Sequence, residues 1–155
     1  MPAFVDRQSS AQVQVGCGGQ LSEPVPVALA GVTPANFTLL QSGTGQGAIL
    51  NQDFSVNGPG NAASRGSYVA IYGTGFGIYQ SPGADGLARL SATVTAFVGG
   101  VPSQVVYAGN APGFTSGLQQ INVLIPLGAP VGNDVPISLV TTGRSTQPGV
   151  TVSVQ

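Results

Sequence analysis

Thr93-Val94-Thr95-Ala96-Phe97-Val98-Gly99-Gly100-Val101-Pro102-Ser103-Gln104-Val105-Val106-Tyr107 alternates, breaks at two glycines, and alternates again. Side chains on a strand point to opposite faces in turn. Adjacent glycines accept the positive φ that a two-residue hairpin turn demands. That turn sets a register in which Val98 faces Val101, Ala96 faces Ser103 and Val94 faces Val105. One face is then small and β-branched, the mark of a core face, while Phe97, Pro102 and Gln104 point away. A slip of one residue would turn the apolar set to water, so the pattern specifies the pairing.

The same period of two recurs on both sides. Ile121, Val123 and Ile125 alternate with Asn122 and Leu124. Val135, Ile137 and Leu139 form another set, and Val150, Val152 and Val154 a third. Upstream, Tyr68-Val69-Ala70-Ile71-Tyr72 reads as a short strand closed by Gly73-Thr74-Gly75-Phe76-Gly77. No window of about 11 residues carries the three-and-four spacing of a helix. Many short strands with frequent turn residues predict an all-β chain, an immunoglobulin-like antiparallel β-sandwich spanning 62–155.

The segments before it read differently. Ala48–Leu50 against Ser55–Asn57 forms a hairpin within 32–61, an extension packed on the sandwich. In 1–31, Gln12-Val13-Gln14-Val15 echoes Gln120-Ile121-Asn122-Val123. Ser22–Leu29 likewise echoes Ser145–Val152. These are expected to be remnant strands of a preceding repeat. About 30 residues cannot bury a core of their own. Their strands are expected to pair with neighbouring domains or with another copy of the chain.

Composition narrows the function. Of 155 residues, only four are cationic, all arginine, and five are acidic, for a net charge of −1. Charged residues make up 6 %, against about 25 % in an ordinary soluble domain. With no basic run, nucleic-acid partners are not expected. No apolar stretch reaches about 18 residues, so no membrane span is expected. Met1–Asp6 has neither the basic nor the apolar region of a signal peptide. Cys17 stands alone in Gly16-Cys17-Gly18-Gly19, which rules out an intramolecular disulfide. A surface built on neutral Ser, Thr, Asn and Gln has little charge repulsion and suits attachment to polymers or self-association.

Catalytic options are few. The chain has no histidine and no lysine, so Ser/His/Asp and Cys/His catalysis, histidine metal sites and lysine bases are excluded. Asn51, Asp53 and Asn57 place side-chain oxygens in the manner of a Ca²⁺ loop. With one carboxylate and no bidentate glutamate, an Asx-stabilised hairpin is the simpler reading. A Ca²⁺-held water acting on an ester or lactone, with Asp85 or Asp134 as base, is the one hydrolase chemistry left. Tyr68 and Tyr72 share one face of their strand. With Phe76, Tyr79 and Phe97 they would form an aromatic strip suited to a polysaccharide or a partner chain.

Several ordered motifs carry a family resemblance. Val69–Gly77 followed by Val98-Gly99-Gly100-Val101-Pro102 resembles the opening of an IPT/TIG-type immunoglobulin-like domain. Gly45–Asp53, Ala63–Ser67, Tyr107–Gly113 and Gln119–Val123 together resemble the Solibacter-type C-terminal domain of secreted acidobacterial proteins, over roughly 32–155. The resemblance implies a secreted or cell-surface setting, a position after other repeats, and no catalytic residues to transfer. Asp53-Phe54 departs from the family's Asp-Gly, and the shortened preceding repeat departs as well. The expected function is a non-catalytic structural or attachment module. The alternatives are a carbohydrate-binding module and a small Ca²⁺-dependent hydrolase.

Overall fold

A computed structural model describes residues 8–155, and the reading of Met1–Asp6 falls outside them. The chain divides between Gly31 and Val32 into two units. In the first, β1 (Ser10–Val13) pairs antiparallel with β4 (Val25–Ala28). β2 (Gly16–Cys17) and β3 (Gln20–Leu21) form a second antiparallel pair, offset by one residue, that closes on the turn. Gly18 and Gly19 form the tip, both with positive φ, as a tight hairpin turn requires. The two expected remnants are thus the arms of one hairpin. Val13, Val15, Leu21, Val25 and Val27 on it are all exposed.

The second unit contains β5 (Ala35–Asn36), β6 (Gly45–Gln46), β7 (Ile49–Asn51), β8 (Tyr68–Thr74) and β9 (Val94–Val98). It continues with β10 (Val101–Ser103), β11 (Val105–Asn110) and β12 (Gln119–Leu124), then β13 (Gly132–Thr141), β14 (Arg144–Ser145) and β15 (Val150–Val154). One sheet runs β10-β9-β13-β15-β6, with β14 added to β13. The other runs β11-β12-β8-β5, with β7 also on β8. Every pairing is antiparallel except β15 with β6. The fold is all-β, a sandwich with no helix among the described residues.

The alternation explains the packing. Val69, Ile71, Ile121 and Val123 from one sheet meet Val98, Leu139, Val150 and Val152 from the other in a single buried cluster. Each such side chain contributes about 1.5–3 kcal/mol by leaving water. Residues 32–61 belong to this body, because β5 and β7 pair with β8 and β6 pairs with β15.

The Gly99-Gly100 hairpin forms with Val98 opposite Val101 and Ala96 opposite Ser103. The third expected pair, Val94 with Val105, does not form. Gln104 accepts a hydrogen bond from the Leu124 amide at 2.9 Å, and Val105 pairs with Val123 in the other sheet. Val94 pairs instead with Thr141. The chain therefore changes sheets at Gln104, and a bulge between Val105 and Tyr107 absorbs the bend. Sandwich corners are commonly turned this way.

The Ala48–Asn57 hairpin is also present. The Phe54 amide donates to the Asn51 carbonyl at 2.9 Å, and the Asn51 amide to the Ser55 carbonyl at 2.8 Å. Phe54 closes the loop with φ 66° and its ring 83 % exposed. A left-handed conformation costs a non-glycine residue about 1–2 kcal/mol, and this ring recovers nothing by burial. Phe54→Gly is expected to stabilise the protein by about 0.5–1 kcal/mol after glycine's own entropic cost. Thermal unfolding checks it, and an unchanged or lower midpoint would contradict it.

Candidate functional site

Sheet order creates a surface that no single strand carries. On β8, Val69 and Ile71 are buried, so Tyr68, Ala70 and Tyr72 occupy the outer face. On β12, Ile121 and Val123 are buried, leaving Gln120, Asn122 and Leu124 outside. The register sets Tyr72 opposite Gln120, Ala70 opposite Asn122 and Tyr68 opposite Leu124. Leu50 of β7 lies on the far side of Ala70, and Tyr107 of β11 beyond Asn122. Tyr68 and Tyr72, four residues apart on one strand, are separated by roughly 13 Å.

Hydrogen bonding separates these two tyrosines from the others. Tyr79 donates its hydroxyl to the Ser116 carbonyl at 2.6 Å, and Tyr107 to the Asn110 carbonyl at 2.7 Å. Among the described residues the hydroxyls of Tyr68 and Tyr72 have no protein partner. Burial pushes the Tyr72 phenol above its ordinary pKa, so it stays a neutral donor at physiological pH. Gln120 donates through Nε2 to Asn122 Oδ1 at 2.8 Å. That bond aligns the two amides along the face. Tyr72 also borders an apolar groove of about 280 Å³ lined by Leu39, Leu50, Val56, Phe114 and Leu118.

The expected aromatic strip is smaller than its residues suggested. Phe76 is fully buried and belongs to the core, held where Gln119 caps the Gly75–Gly77 turn. Gln119 Oε1 accepts from the Phe76 amide at 2.8 Å, and its Nε2 donates to the Gly77 carbonyl at 3.1 Å. Phe97 lies on β9 in the other sheet. Tyr68 and Tyr72 are the pair that the fold keeps together. The amides beside them were not singled out from sequence, although Gln120 and Asn122 already stood at the outward positions of an alternating run.

Asn51, Asp53 and Asn57 do come together, as parts of a hydrogen-bonded lattice. Asn57 is buried, and its Nδ2 donates to Asn51 Oδ1 at 2.8 Å and to the Ser153 carbonyl at 3.0 Å. Its Oδ1 accepts from the Ser153 amide at 2.8 Å and from Gln46 Nε2 at 2.9 Å. All four hydrogen-bonding positions of this amide are filled by protein. Asn51 Nδ2 donates to the Asn61 carbonyl at 2.9 Å. Asp53 Oδ1 accepts from the Ser55 hydroxyl and the Ser55 amide, which together hold its carboxyl below the usual range. Among the described residues there is no group of three acidic or cysteine side chains to hold a metal.

Asp85 and Asp134 take no part in this lattice. Asp85 forms an exposed ion pair with Arg89, with Nη2 to Oδ2 at 2.6 Å. Hydrogen bonding to Arg89, aided by the Leu87 amide, lowers its pKa to about 2. Arg89 also lies 5.8 Å from the centre of the Tyr107 ring, within cation–π range. Asp134 is exposed on β13. Comparison with protein-family models, curated proteins and solved structures gives no match.

Proposed function

We propose that this chain is a non-catalytic attachment module of a larger secreted or cell-surface bacterial protein, built on an immunoglobulin-like sandwich. Its outer sheet face binds carbohydrate polymer. The observation that carries this reading is the juxtaposition of Tyr68 and Tyr72, hydroxyls unpartnered, with the Gln120–Asn122 amide pair across the same ladder. Sugar rings present apolar faces ringed by hydroxyls. A tyrosine matches both parts, with a flat ring and a polar tip, and neutral amides donate and accept alike. The charge-poor sequence suits a neutral polymer better than an anionic one. The N-terminal hairpin supplies the second attachment, by strand pairing with a neighbouring domain or another copy.

The test is titration of the intact chain against a panel of neutral polysaccharides. At least one member should bind, and Tyr68→Ala should weaken that binding about tenfold, equivalent to ~1.4 kcal/mol. Binding to no member, or binding indifferent to Tyr68→Ala, would contradict the assignment.

A further inference from the structure

The hairpin has two outer edges, and they are not equivalent. The Leu29 amide donates to the Ser9 carbonyl at 2.9 Å, which marks that pair as hydrogen-bonded. In an antiparallel ladder such pairs alternate with pairs whose N–H and C=O groups point away from the partner. With Ser10 opposite Ala28, Ala11 opposite Val27, Gln12 opposite Pro26 and Val13 opposite Val25, the outward-pointing residues are Ser10, Gln12, Pro26 and Ala28. On β4 that edge has lost a donor at Pro26, a common way to block strand addition. On β1, Ser10 and Gln12 each offer an outward N–H and C=O.

Among the described residues no charge guards that edge either. Glu23 is the one charged residue between 8 and 31, and it is not on β1. The sandwich edges, by contrast, are managed. Pro102 interrupts β10, and the segment 88–90 covers β11, the Leu90 amide donating to the Ala108 carbonyl and the Asn110 amide to the Ala88 carbonyl, each at 2.9 Å. Ala11, Val13, Val25 and Val27 form one apolar strip on the hairpin, because they oppose one another in pairs. Two strands alone are marginal in water, and three or more sharing an apolar face are needed for stability.

We infer that the outer edge of β1 is a self-pairing site that receives the β1 edge of a second copy, antiparallel, to form a four-stranded sheet β4-β1-β1-β4. The occupant is a second copy because the edge is self-complementary. An uncharged strand with regularly spaced outward donors and acceptors meets its own two-fold mate without like-charge repulsion. The two apolar strips then become one continuous face. The inference rests on the reading of the hairpin as an attachment element, and it names the partner and the edge.

Light scattering or sedimentation on the full chain tests it. The native chain should have twice the monomer mass. Gln12→Pro removes an outward donor while sparing the bonds between β1 and β4, and should give a monomer. Ala28→Pro makes the matching change on the β4 edge, and should remain dimeric. A monomeric native chain, or loss of the dimer in both variants, would overturn the inference. A monomer that still binds polysaccharide through Tyr68 would overturn the self-pairing alone and leave the outer-face assignment standing.

Discussion

Asn57→Ala is expected to destabilise the sandwich by about 3–4 kcal/mol, among the larger losses a single substitution produces. The side chain is 1 % exposed. It joins Asn51 on β7 of one sheet to Gln46 on β6 and Ser153 on β15 of the other. Truncation leaves the Ser153 amide, the Gln46 amide and Asn51 Oδ1 without this partner, while the Ser153 carbonyl keeps its bond from the Ala63 amide. An unsatisfied buried group costs about 1–3 kcal/mol, and partial relaxation keeps the total below the simple sum. Asn57→Asp should be at least as harmful. It sets a second acceptor against the Asn51 and Ser153 oxygens and buries a charge. Added Ca²⁺ should rescue neither variant, whereas a Ca²⁺ ligand at this position would tolerate aspartate. Chemical denaturation with and without Ca²⁺ measures both effects. A loss below about 1 kcal/mol, or rescue of Asn57→Asp by Ca²⁺, would contradict the structural role.

Gly75→Ala is expected to cost about 3 kcal/mol, lowering the unfolding midpoint by roughly 10 °C. Gly75 has φ 78°, and a Cβ there would lie 2.0 Å from the Thr33 carbonyl oxygen. Thr33 cannot withdraw freely, because its amide donates to the Gly75 carbonyl at 2.8 Å. The left-handed conformation alone costs alanine about 1–2 kcal/mol. Overlap with a backbone atom adds a packing strain of about 1–3 kcal/mol. Gly100→Ala is the matched control. Its φ is 79°, but nothing lies within 4 Å of the added carbon, so only the conformational part remains, about 1 kcal/mol. Equal effects at the two glycines would show that the approach of residues 33–35 to β8 is not as close as described.

Much of this fold was legible in the sequence, because alternation reports which side of a strand is buried. The core positions of β8, β9, β12, β13 and β15 follow from period two alone, and Gly99-Gly100 announces its own turn. What alternation does not encode is which strand lies beside which. Gln104 gives no local sign that the chain leaves one sheet for the other, so alternation alone sets Val105 opposite Val94. Phe76 reads as part of an exposed aromatic strip, yet Gly75 and Gly77, with φ 78° and 109°, let the turn fold inward and bury it in the core.

The proposed binding face was half legible for the same reason. Tyr68 and Tyr72 share a strand face by spacing, but their proximity to Gln120 and Asn122 depends on β8 and β12 pairing across about fifty residues. Spacing alone brings Asn51 and Asn57 to one hairpin, where Asn57 Nδ2 donates to Asn51 Oδ1. Only the distant Ser153 and Gln46, contributed by β15 and β6, reveal how the Asn57 amide is used.

The most direct measurement is residue-by-residue NMR mapping of the chain titrated with an oligosaccharide fragment of whichever neutral polymer binds. Attachment through the outer face predicts amide shift changes concentrated at residues 68–72 and 120–124, with β9, β13 and β15 unmoved. Changes confined to the opposite sheet, or to the N-terminal hairpin, would contradict it.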